Sequence, residues 1–239
     1  MSAHIRGGEK AGRKKAFAIM AGGLVLGLGV TATLAAWTDT EWIFGGNAAG
    51  DGPGVGTSTF EVEQNTSSPY VATAFDQFEA NPGDTMIFGV DALALSPGDA
   101  VYAPVALRTI ADSLGGSVEL QAAVEADESD FTTPSVDPDG LLWGALDLRV
   151  SVAEDAVLPC TADAFAPGAT IIADGPLATA DGSIAQELDA ESGNVQHYCF
   201  ELTLPEAPTL PVGFDLDDLQ GLSIAPAWEF AADSTVLIP

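Results

Sequence analysis

Few residues in this chain are of types that carry out chemistry, and their spacing favours staples and solvated turns over a reaction centre. Histidine occurs twice, at His4 and His197. A zinc protease of the His-Glu-x-x-His kind needs two helix-borne histidines one turn apart, and only His197 lies in the body of the chain. A Ser-His-Asp triad around His197 lacks the Gly-x-Ser-x-Gly elbow that would expose the nucleophile, so His197 reads as a strand-surface residue. Lysine is absent after Lys15, which removes Schiff-base chemistry and phosphate-loop lysines. No residue is assigned a catalytic, cofactor-binding or metal-binding role.

Two cysteines, Cys160 and Cys199, form an isolated pair outside any Cys-x-x-Cys motif. In an oxidising compartment such a pair most simply makes one structural disulfide. Closing a loop of about 40 residues stabilises a fold by roughly 4 kcal/mol in the chain-entropy account. The bond is expected to staple the strand at 198–204 to the segment that follows the strand at 146–152.

Carboxylates are too abundant for any pair to signal a hydrolase. Calcium is the one inorganic partner that the sequence suggests, because Asp137-Pro138-Asp139-Gly140 and Asp215-Leu216-Asp217-Asp218 cluster oxygen donors. Neither matches an EF-hand loop, and each reads more simply as a solvated turn or a helix cap. Asn65-Thr66-Ser67 has the form of a glycosylation sequon.

Charge is distributed very unevenly. The formal net charge is −28, yet five of the seven basic residues, Arg6, Lys10, Arg13, Lys14 and Lys15, fall before position 16. Beyond them Arg108 and Arg149 stand against the 35 acidic residues less Glu9, a net charge of about −32. Such a body repels phosphate backbones and anionic lipid, which excludes nucleic acid as a partner.

The basic start is followed by an uncharged run, AFAIMAGGLVLGLGVTATLAA, at 16–36. A basic region, an apolar region and small residues at its end make a signal peptide, here a signal helix at 1–36. Cleavage is expected between Ala36 and Trp37 by a signal peptidase. An uncleaved anchor is the competing reading, since the run is long enough to span a bilayer. Either way the membrane is met only through this segment, and the remainder is secreted or attached to the cell envelope.

The join Thr33-Leu34-Ala35-Ala36-Trp37-Thr38-Asp39-Thr40-Glu41-Trp42 resembles the alternate-type signal peptides of actinobacterial exported proteins. Those are similar in turn to the signals of the TasA and camelysin family. The resemblance covers residues 13–46, and the stretch at 96–109 and the closing Trp228-Glu229-Phe230 also look like the actinobacterial branch. It implies a secreted β-sandwich of the kind associated with extracellular fibres or biofilm matrix. The metalloprotease activity described for camelysins does not carry over, because the histidines are missing.

The elements that would hold these residues are strands. Period-two alternation recurs at 101–107, 118–124, 146–152, 198–204 and 224–230, the pattern of strands with one buried face. Pro82-Gly83, Pro97-Gly98 and Pro167-Gly168 punctuate the runs as turns in which glycine supplies a positive φ. Eight to ten strands are expected in an all-β, antiparallel β-sandwich of immunoglobulin-like or jelly-roll type. A mixed domain with helices in 106–128 and 213–222 is the alternative, with Asp215, Asp217 and Asp218 capping one turn.

The chain thus divides into a signal peptide at 1–36, an aromatic segment and Gly-rich linker at 37–58, and a sandwich domain at 59–239. Trp37, Trp42 and Phe44 are too apolar to stand in water without cost. Residues 37–44 are expected either to form the first strand of their own domain or to add to a sheet edge of another copy. The expectation for function is a secreted, non-catalytic structural or cell-envelope protein, with matrix or fibre subunit as its sharper form. An extracellular adhesin or ligand-binding module is the alternative, and a carboxylate hydrolase ranks last.

Overall fold

The computed structural model describes residues 40–89, 91–157 and 159–234. The signal segment, Ala36 and Trp37 lie outside the described residues. The chain divides into two units after Gly56. In the first, the Gly-rich stretch folds back on itself instead of running out as a linker. Asn47 Oδ1 accepts from the backbone N–H groups of Ala49, Gly50 and Asp51, and Gly46 bridges Pro53. Gly54 passes so close to the Gly46 carbonyl that no Cβ would fit.

The second unit, Thr57–Pro239, is all-β and antiparallel. Its strands are β1 (Val62–Asn65), β2 (Ala100–Thr109), β3 (Gly116–Leu120), β4 (Val124–Glu125), β5 (Asp147–Glu154), β6 (Thr170–Pro176), β7 (Gln186–Leu188), β8 (Gln196–Thr203), β9 (Pro226–Ala227) and β10 (Phe230–Ser234). One sheet has the order β1-β2-β8-β5-β6, a second β10-β3-β7, and β4 pairs β9.

The two larger sheets enclose a shared core. Val105 and Leu107 of β2, Leu148 and Val150 of β5, and Tyr198, Phe200 and Leu202 of β8 pack in one cluster with Val118 and Leu120 of β3 and Leu188 of β7. Phe230 of β10 and Trp228 close over this cluster, with ring centroids 4.9 Å from Tyr198 and 5.0 Å from Phe200 respectively. Each large apolar side chain so buried is worth about 1.5–3 kcal/mol.

The expected strands at 101–107, 146–152 and 198–204 are present as β2, β5 and β8. Two other runs are broken. The run at 118–124 ends at Leu120 and resumes as β4, and that at 224–230 splits into β9 and β10. At the second break Gln121 N–H donates to the Glu229 carbonyl, so the two interruptions face each other. Alternation reports which side of an extended chain is buried, and it persists where the ladder changes partner.

The alternative helix in 106–128 is not formed, because that stretch belongs to β2, β3 and β4. In 213–222 a single 3-10 turn, Leu216–Leu219, starts from Asp215 with a reciprocal capping box to Asp218. A short helix absent from the expected elements, α1 (Leu141–Ala145), precedes β5. The Asp137 carboxylate starts it by accepting from the N–H groups of Leu141, Leu142 and Trp143 at 2.8, 3.2 and 2.9 Å. Both carboxylate clusters weighed for calcium therefore serve as helix starts.

Two of the three Pro-Gly turns close as expected, with Asp99 N–H donating to Ser96 O and Ala169 N–H to Ala166 O. At Pro82-Gly83 the frame differs, since Gly83 N–H bonds Ala80 O and the proline takes the third position.

Candidate functional site

The alternation implied that the polar side of the five-stranded sheet faces water, but β8 is buried on both faces. Its outer side is organised in cross-strand rows. Tyr102, Glu201, Arg149 and Asp174 stand in register across β2, β8, β5 and β6. Arg149 reaches Glu201 at 3.2 Å and Asp174 at 3.8 Å while its guanidinium lies 4.7 Å from the Phe165 ring. Burial, then a hydrogen bond to Glu201, raises the Tyr102 hydroxyl above its ordinary pKa.

The next row holds Pro104, Cys199 and Ser151, with Cys199 bonded to Cys160 across a Cα separation of 5.2 Å. Cys160 lies between β5 and the 3-10 turn Ala162–Phe165, so the disulfide holds Phe165 over the sheet. This is the staple expected from the cysteine spacing.

At the other end Arg108 pairs Glu63 at 2.6 Å and covers the Phe75 ring at 3.9 Å. His197 meets the edge of Tyr70 with centroids 4.9 Å apart. Burial lowers the His197 pKa, partly opposed by Asp155. The loop carrying Tyr70 and Phe75 is tied down by Asn65, which is 2% exposed. Its Nδ2 donates to Val71 O, and its Oδ1 accepts from Ser67 N and Oγ. The sequon asparagine is thus a buried structural ligand, with its amide already engaged.

Arg108 and Arg149, the arginines of the body, are both consumed within this face, each by a glutamate and a phenylalanine. That leaves the rest of the described surface strongly acidic. Among the described residues no group of three or more His, Cys, Asp or Glu side chains is arranged to hold a metal ion.

Two apolar features remain accessible. Trp42, Ile43 and Phe44 are 90%, 98% and 74% exposed and belong to no strand. Residues 40–44 form no strand, and the first strand of the second unit is β1.

The second feature is a cleft of about 900 Å³ on the side of the sandwich where β1 and β10 are the edge strands. Core residues Val101, Val105 and Leu107 of β2 and Phe200 and Leu202 of β8 form its floor. Trp228 and Phe230 stand in its wall, and Phe78, Leu93, Val124 and Phe131 add exposed apolar surface at its margin. Its charged lining residues are all acidic: Glu61, Glu63, Glu79, Asp84 and Glu229.

The sheet edges differ in how well they are closed. On β1, Gln64 exchanges hydrogen bonds with Asp76; on β6, the Ile172 carbonyl accepts from Ser183; on β7, the Glu187 carbonyl accepts from Asn194 and Gln196. β10 pairs only β3 among the described residues. No protein-family model matches the chain, and no curated protein matches it.

Proposed function

We propose that this is an exported, non-catalytic structural protein of the cell envelope or extracellular matrix, whose copies associate through residues 37–44. The observation that carries the reading is the exposure of Trp42, Ile43 and Phe44, three large apolar side chains placed in succession outside any strand. Apolar surface of this kind is stabilised by docking on a partner. An extended segment docks most economically on a sheet edge, where backbone hydrogen bonds supply affinity and alternate side chains supply specificity. β10 is the receiving edge, because side chains or loops already occupy the other three edges of the two larger sheets.

The basic and apolar leader at 1–36 supports export, with a signal peptidase as the transient partner and the membrane met only there. The Cys160–Cys199 bond is in keeping with an oxidising destination. A matrix or fibre subunit is the sharper form of the proposal, in line with the resemblance of the leader to signals of the TasA and camelysin family. The acidic body sets a condition on assembly. Copies carrying about −32 charges repel one another, so association requires salt or divalent cations such as calcium.

Light scattering on purified mature protein, with and without millimolar calcium, tests the proposal. Polymers that grow with protein concentration and with calcium are expected. A monomer at every concentration and ionic condition would overturn it. A ligand-binding module is the second reading, and the cleft beside β10 is the observation in its favour.

A further inference from the structure

We infer that the cleft between the β1 and β10 edges binds a small cationic amphiphile, an apolar chain or ring system carrying an ammonium or quaternary ammonium group. It rests on other observations than self-association does, and β10 borders both places. A cleft of about 900 Å³ falls within the range of roughly 300–1,000 Å³ that accommodates a small organic ligand. Its floor is built from the sandwich core, and Leu93 and Val124 at its margin are 88% and 52% exposed. Apolar area of this kind favours a hydrocarbon body.

Charge selects the head group. The lining contains Glu61, Glu63, Glu79, Asp84 and Glu229 and no lysine, arginine or histidine. Glu63 is neutralised by Arg108, and Asp84 accepts from Thr66 and from the Thr85 N–H. The side-chain carboxylates of Glu79 and Glu229 have no partner among the described residues, so they remain for a cation. Aromatic faces at Phe78, Phe131 and Trp228 add the quadrupole attraction that quaternary ammonium groups receive from rings. An anionic amphiphile meets uncompensated repulsion at the same place.

The test is calorimetric titration of the mature protein, below the micelle concentration, with dodecyltrimethylammonium, dodecanoate and the uncharged monolauroylglycerol, and with tetramethylammonium as a head-group control. One site per chain is expected for dodecyltrimethylammonium, at least tenfold tighter than for dodecanoate, with no saturable site for tetramethylammonium. Replacing both rim carboxylates (Glu79→Gln with Glu229→Gln) weakens the cation about fivefold and leaves monolauroylglycerol unchanged. Ala92→Trp, in the turn closed by the Ala94 N–H on the Asp91 carbonyl and lining the cleft, removes the site. Equal affinity for the cationic and anionic chains, or many weak sites unaffected by Ala92→Trp, would overturn the inference. So would binding that appears only after residues 37–44 are deleted, which would assign the cleft to a second copy.

Discussion

Two aromatic stretches of similar composition have opposite fates in this molecule. Tyr198, Cys199 and Phe200 in β8 are 2%, 6% and 1% exposed, whereas Trp42, Ile43 and Phe44 are 90%, 98% and 74% exposed. Hydrophobicity alone does not separate them; neighbours do. β8 lies between β2 and β5, which satisfy its backbone on both sides, while the second sheet covers Phe200 and the disulfide loop covers Cys199. The segment at 42–44 has neither ladder nor cover within the described residues. In β8 apolar surface is spent on folding, and at 42–44 it stays exposed.

The comparison is broken most severely in the core. Phe200→Ala removes a fully buried ring that contacts Trp228 and Phe230, and a loss of about 3–5 kcal/mol in unfolding free energy is expected by denaturant titration. A loss under about 1 kcal/mol would mean that the two sheets do not share this core.

Next in size is the staple. Cys160→Ser with Cys199→Ser is expected to cost roughly 2–4 kcal/mol and lower the melting temperature by several degrees. Tyr102 and Arg149 would lose the cover of Phe165 as the loop loosens, so tyrosine absorbance should report a hydroxyl that titrates closer to its ordinary pKa. Two free thiols in the protein purified without reductant would contradict the bond itself.

A smaller effect separates the regions by pH. His197 titrates lower in the folded protein than unfolded because burial disfavours its charged form. The unfolded chain therefore binds the proton first, and this contribution to stability is complete above a pH of about 6.5 and is lost as pH falls towards the folded value. His197→Gln is expected to flatten the stability profile below about pH 6.5, measured by urea titration against the parent protein. An unchanged profile would remove His197 from the buried outer face.

How far this arrangement is legible in the sequence depends on which force sets it. β2, β5 and β8 show in the alternation because one face of each meets a continuous apolar core. The capping role of Asp215 shows because its partner, Asp218, lies three residues away. The disulfide shows because two cysteines leave one pairing. β1, β6 and β7 do not show, as their short or Gly- and Pro-containing stretches owe their extended form to pairing with distant strands. The covered outer face escapes for the same reason. Arg149 meets Glu201 and Phe165 only after β5 and β8 pair, and nothing local marks that meeting. The cleft is still less legible, because Phe78, Leu93 and Phe131 read as scattered apolar residues until the fold brings them to one margin.

The smallest expected effect on stability belongs to the exposed stretch. Trp42→Ser with Phe44→Ser is expected to shift unfolding by no more than about 0.5 kcal/mol, since neither ring is buried.

The most direct measurement of the central claim deletes residues 37–44 from the mature protein and follows thermal melting and light scattering on the same sample, in calcium and in its absence. The account predicts an unchanged melting temperature and a monomer at concentrations where the parent protein polymerises in calcium. Undiminished polymerisation, or a melting temperature lowered by several degrees, would contradict it.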